Sequence, residues 1–206
     1  MGVDEFAKKY SDEFFKAIEE IEVSDGLGKH LGFVGGIELS LEILKQLQNA
    51  NHKIFIVGNG GSAAIASHAA IDFWKNAGIQ ALTFNDSSLL TCISNDIGFE
   101  DVFAAPLQMF ASSGDLVICI SSSGNSADIV KACETAKLKG CSLITLSGFM
   151  PENKIRPLGN INFYVNTLSY GFAEIIHQYI LHCMLDAKMY CEDRIDIFNK
   201  NLKLGS

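Results

Sequence analysis

Residues 54–66 read Ile54-Phe55-Ile56-Val57-Gly58-Asn59-Gly60-Gly61-Ser62-Ala63-Ala64-Ile65-Ala66, and this stretch decides the fold class. Its four leading residues are apolar and rich in strand formers, and the run is too short for a helix. The glycines break the run, and the small residues after Ser62 open a helix. A strand therefore enters a tight turn and leaves it as a helix. The same texture continues downstream, with short apolar runs at Ile79 to Phe84, Leu116 to Ile120, Ser142 to Leu146 and Ile161 to Val165. The segments between them carry helical periodicity, so the chain reads as successive βαβ units and an α/β fold with a largely parallel sheet.

Upstream, Phe6, Tyr10, Phe14, Ile18 and Ile21 fall at helical spacing over Asp4 to Ile21, and Leu39, Leu41, Leu44 and Leu47 repeat the pattern over Ile37 to Leu47. Two helices thus precede the first strand. Val23 to Gly36, dotted with five glycines, reads as a loop or lid-like connector, with His30 on its surface. Tyr170 to Tyr190 reads as a closing helix, from which a polar tail to Ser206 extends or frays. A chain of 206 residues supports one domain with a sizeable core. Its parts are a helical N-terminal extension (1–50), an α/β core with the closing helix (51–191) and a tail (192–206).

The net charge of −8, with no Lys/Arg cluster, disfavours nucleic acid and anionic membrane as partners. No basic and apolar leader opens the chain, and no run of about 18 apolar residues occurs, so a soluble cytoplasmic protein is expected. The six cysteines form no C-x-x-C pair and several sit in apolar runs, the pattern of reduced core thiols.

With no cationic cluster, an anionic ligand must be held by local neutral donors. Gly58 to Ser62 can converge backbone amides on an anion at a helix N-terminus, where the dipole adds about half a positive charge. Gly58, Gly60 and Ala63 also satisfy the dinucleotide fingerprint, with Asp86 as its ribose acid, so this loop alone leaves two readings open. A P-loop is excluded by the missing Gly-Lys-Ser/Thr ending. A second loop separates the two. The strand ending at Ile120 runs into Ser121-Ser122-Ser123-Gly124-Asn125-Ser126 and then into a helix. Four hydroxyls and one amide exceed what a helix cap requires and suit a phosphate monoester.

His68 and Asp72, four apart on the helix after the first loop, share one face. On the closing helix, Glu174, Gln178 and His182 project at 0°, about 40° and about 80°, a polar stripe on an apolar cylinder with His177 beside it. Buried polar groups need partners, and the two sets can satisfy each other. His68, Asp72, Glu174 and His182 offer nitrogen and oxygen ligands suited to zinc or a similar dication. Such an ion would also cancel the repulsion between the two carboxylates.

Gly58-Asn59-Gly60-Gly61-Ser62, Ser94-Asn95-Asp96 with Gly98-Phe99-Glu100-Asp101-Val102-Phe103, Gly114-Asp115, and Ser121 to Ser126 resemble, in order and spacing, the signatures of the SIS-domain phosphoheptose isomerases. The resemblance implies a three-layer sandwich around a mainly five-stranded parallel sheet, a homotetramer, and active sites near subunit boundaries. It implies that Ser62, Ser121, Ser123 and Ser126 hold the sugar phosphate, with Asn59 and Asp96 near the sugar. Gly60, Gly61, Asn95, Ser122, Asn125 and Glu174 complete the set of expected substrate contacts. The family carries His-x-x-x-Glu on the first of the two polar helices, and Gln followed eight residues later by His on the last. Here those positions read His68-x-x-x-Asp72 and Glu174 with His182. Asn76 stands where the family has an arginine, and Gly171 and Phe172 where it has an acidic and a basic residue.

The expected chemistry is aldose–ketose isomerisation of a sugar phosphate, with sedoheptulose 7-phosphate first among substrates. Moving a proton between C1 and C2 through an enediolate needs a base, an acid and stabilisation of developing negative charge. Asp72 and His182 are expected as the acid/base pair, and His68 and Glu174 as completing a zinc site. The alternatives are a non-catalytic tetrameric scaffold, similar to regulators of bacterial replication initiation related to these isomerases, and an isomerase of another sugar phosphate. Relatives of the scaffold kind tend to lack the carboxylate that Asp72 supplies, which favours an enzyme.

Overall fold

A computed structural model describes residues 2–194 and 196–198. Most of the expected tail, residues 195 and 199–206, lies outside the described residues. The chain opens with α1 (Val3–Glu19), β1 (Glu22–Asp25) and α2 (Gly32–Ala50). The first strand–turn–helix unit is β2 (Ile54–Gly58) with α3 (Gly61–Asp72), which passes without a break into a π-helical turn at Phe73–Ala77. Then follow β3 (Ala81–Leu82), α4 (Ser87–Asp96), α5 (Ala104–Phe110), β4 (Leu116–Ser121), α6 (Ala127–Leu138), β5 (Ser142–Gly148), β6 (Ile161–Val165) and α7 (Tyr170–Cys191).

The strands form one six-stranded sheet in the order β1-β6-β5-β4-β2-β3. Five strands are parallel, and only β1 runs antiparallel, against β6. Alternate residues supply two cores. Ile54, Ile56, Ile118, Ile120, Ile144 and Leu146 pack under α2, α3 and α7, whereas Phe55, Val57, Val117, Cys119 and Leu143 pack under α5 and α6. Burial on both faces explains the unbroken apolar runs. Each such side chain, taken fully from water, contributes about 1.5–3 kcal/mol.

Two expectations change. Val23 to Gly36 is not simply a connector: its first residues join β1, and α2 begins at Gly32 and runs through Gly35 and Gly36. A Cβ on Gly36 would lie 2.5 Å from Val23 and 3.1 Å from Phe163, so this glycine lets α2 close onto β1 and β6. Packing here outweighs the low helix propensity of glycine. The run Ile79 to Phe84 pairs only at Ala81 and Leu82.

Asp115 of the Gly114-Asp115 signature is buried and structural. Its carboxylate accepts from the Lys53 amide at 2.9 Å and the Ser112 amide at 2.8 Å, joining the entries to β2 and β4. Cys119, Cys133 and Cys141 are buried free thiols, while Cys92 and Cys191 are exposed. No helix among the described residues is long and apolar enough to cross a membrane.

Candidate active site

β2 and β4 are neighbours in the sheet, yet α3 leaves β2 onto one face and α6 leaves β4 onto the other. The crevice outside their carboxyl ends is the topological switch point, where open α/β sheets bind ligands. Both loops singled out in the sequence open there. Asn59, Gly60, Gly61, Ser62, Ser121, Ser122, Ser123 and Ser126 line one cavity of about 250 Å³, together with Tyr170 and Glu174 of α7.

The second loop is held by its own bonds. The Gly124 amide donates to the Ser121 carbonyl at 3.0 Å and to Ser121 Oγ at 3.1 Å. Gly124 has φ +63°, and a Cβ there would overlap the buried Asn153 side chain. Asn125 braces the loop from outside the cavity, donating to the Ser123 carbonyl at 3.0 Å and accepting from the Lys154 amide at 3.1 Å. Ser122 Oγ is buried and has no hydrogen-bond partner. An unpaired buried hydroxyl is costly.

Behind the cavity, Asp128 of α6 is 3% exposed. Burial pushes its carboxyl above the usual range, with the nearby Asn59 side chain acting against that shift, and its Oδ2 is buried without a hydrogen-bond partner. Spacing gave no signal for Asp128 or for Tyr170.

The imidazoles and Asp72 form a second constellation farther along the same helices. His68 Nε2 lies 3.0 Å from Asp72 Oδ2, and His182 Nδ1 lies 3.9 Å from the same oxygen. The two rings meet edge to face at 5.4 Å. Asn76, in the π-helical turn that begins just after Asp72, donates to Asp72 Oδ1 at 3.4 Å. Donor atoms of His68, Asp72 and His182 lie within 4.8 Å of one another, a nitrogen and oxygen set that fits zinc or a similar ion. Glu174 is not among them. Its carboxylate stands at the N-terminus of α3, 2.5 Å from where a Gly61 Cβ would be. Asp186, one turn beyond His182, is half-buried; burial pushes its carboxyl up, while His182 pulls it down and Asp72 pushes it up.

The SIS domain matches residues 35–148, more than half of the chain. A phosphoheptose isomerase of Photorhabdus laumondii is 32% identical over 175 residues, covering 80% of this chain and 89% of the relative. This chain belongs to the phosphoheptose isomerase family. The Campylobacter concisus phosphoheptose isomerase is 39% identical over 128 residues, 58% of this chain and 67% of the relative. The solved Neisseria gonorrhoeae phosphoheptose isomerase superposes with a TM-score of 0.79 at 26% identity, over 92% of this chain and all of that one.

Asn95 and Asp96 stand apart from both groups of residues. They end the exposed helix α4, where Asn95 Nδ2 donates to Asp96 Oδ1 at 2.8 Å, and neither lines the loop cavity of its own chain. His177, beside the polar stripe, turns inward instead: it is fully buried, with Nε2 3.2 Å from the Ser147 carbonyl.

Proposed function

We propose that this chain is a cytoplasmic, homotetrameric aldose–ketose isomerase that interconverts sedoheptulose 7-phosphate and D-glycero-D-manno-heptose 7-phosphate. The observation that carries the reading is the cavity at the switch point, lined by residues of both loops. Neutral donors and two helix N-termini suit a phosphate monoester, and holding it turns binding energy into alignment of the sugar chain. The imidazoles and carboxylates along α3 and α7 then face the carbonyl end. His182 and a carboxylate partner, Asp72 in the first instance, exchange the C1 and C2 protons and protonate the oxygens. His68, Asp72 and His182 would hold a zinc ion, which supplies Lewis-acid polarisation of the substrate oxygens.

The test is incubation with sedoheptulose 7-phosphate, and with shorter ketose phosphates, followed by proton NMR for an aldose anomeric signal, with the Asp72→Asn variant run alongside. Conversion by the wild type and none by the variant is expected. No conversion of any ketose phosphate with zinc supplied would favour a binding scaffold.

A further inference from the structure

We propose that Gln178 is a positioning residue that decides which ring nitrogen of His182 carries the proton. This rests on the reading of His182 as a reacting group. Gln178 precedes His182 by one helical turn, so the two share a face of α7. Together with His68 and Asp72 they line a small cavity otherwise walled by Ala69, Phe73, Leu181 and Leu185. The Gln178 side-chain amide lies 3.3 Å from His182 Nε2. The other ring nitrogen, Nδ1, points toward Asp72 Oδ2 at 3.9 Å. Among the described residues no other group hydrogen-bonds to Nε2.

A neutral imidazole carries one proton, so the bond at one nitrogen fixes the state of the other. When the Gln178 amide N–H donates to Nε2, the proton sits on Nδ1 and faces the Asp72 carboxylate. That is the state of a ring ready to give a proton toward the cluster. When the amide turns and its oxygen accepts from Nε2–H, Nδ1 presents a lone pair to the same place. That is the state of a ring ready to receive a proton or to ligate a cation. A primary amide serves both states with one rotation about its terminal bond, because it holds a donor and an acceptor of nearly equal shape. A carboxylate would serve only the second, and an aliphatic side chain neither. The remaining walls of the cavity are apolar, so among the described residues Gln178 is the protein group that engages Nε2, while the ring, 40% exposed, also meets water. Partners of this kind, behind a histidine that ligates or transfers protons, fix both tautomer and ring orientation.

The experiment labels histidine with nitrogen-15 and reads the His182 tautomer by long-range proton–nitrogen correlation at about pH 8, where a free imidazole is neutral. Wild type, Gln178→Glu and Gln178→Leu are compared without metal. The expected wild-type form is Nδ1–H; Gln178→Glu moves it to Nε2–H, and Gln178→Leu gives a mixture. Zinc affinity, read by competition with a chelating dye, is expected to fall roughly 10- to 100-fold in Gln178→Leu and to be largely retained in Gln178→Glu. If turnover is measured, the loss falls on kcat rather than KM. Neither the tautomer nor the zinc readout needs turnover, so they stand even if no sugar phosphate is converted. Gln178→Glu keeps the side-chain length and guards against misfolding of the leucine variant. An unchanged His182 tautomer in the folded glutamate variant would overturn the proposal.

Discussion

Acidification should expose His177 as a defined source of instability. Its ring is fully buried, Nε2 meets only the Ser147 carbonyl, and Nδ1 has no partner. Burial pushes its pKa down to about 4, only partly offset by the bond to Ser147. The unfolded chain, titrating near the ordinary histidine value of 6.5, therefore takes up a proton that the folded chain refuses. Stability is full above pH 6.5 and is lost as pH falls from there to about 4. At 1.36 kcal/mol per pH unit the whole window is worth about 3 kcal/mol, of which about 1.4 kcal/mol is gone by pH 5.5. His177→Gln keeps a donor for the Ser147 carbonyl and removes the titration. The variant should be less stable than wild type at pH 7.5, by about 1 kcal/mol for an imperfect hydrogen bond. At pH 5.5 the difference should have shifted by about 1.4 kcal/mol in the variant's favour, which closes the gap and slightly reverses it. Urea unfolding followed by circular dichroism, at one protein concentration throughout, measures both. If the two proteins lose stability in parallel between these pH values, His177 is not the buried neutral base described here.

Two substitutions probe the loop cavity. Gly124→Ala places a methyl group at φ +63° against Asn153, whose Oδ1 is already engaged by the Arg156 amide at 3.1 Å. It should cost about 1–3 kcal/mol in a thermal melt and weaken sugar phosphate binding by roughly tenfold or more, because the serine loop must shift. Unchanged melting would refute the strain. Glu174→Gln removes the only charged group among the described residues that line the cavity. Inorganic phosphate, titrated by calorimetry, should then bind about fivefold tighter, since two unit charges 4 Å apart in water interact by about 1 kcal/mol. Equal or weaker binding would show that the carboxylate does not face the anion.

Much of the fold and part of the site could be read along the chain. β-branched runs ended by Gly58-Asn59-Gly60-Gly61-Ser62 and by Ser121 to Ser126 mark two strand ends feeding two helices, because apolar strands and glycine- or serine-rich turns are local chemistry. The periodicity of α7 was equally local, and it placed Glu174, Gln178 and His182 on one stripe. β1 was hidden because its pairing with β6 joins residues far apart in sequence, and the glycines of α2 signal a loop until Val23 and Phe163 are known to press against Gly36.

By itself the sequence determined the class of fold, the two anion loops and the residue types available for proton transfer, since each depends on neighbours within a few positions. Only the tertiary structure decided how those residues divide. A helical projection records angle but not height: Glu174 and His182 share a stripe yet stand about 12 Å apart along the axis. Because α7 runs alongside α3, the first meets the helix N-terminus at Gly61 and the second meets His68 and Asp72 farther along. The carboxylate expected among the metal ligands therefore faces the phosphate loops, and the amide of Gln178 lies beside His182.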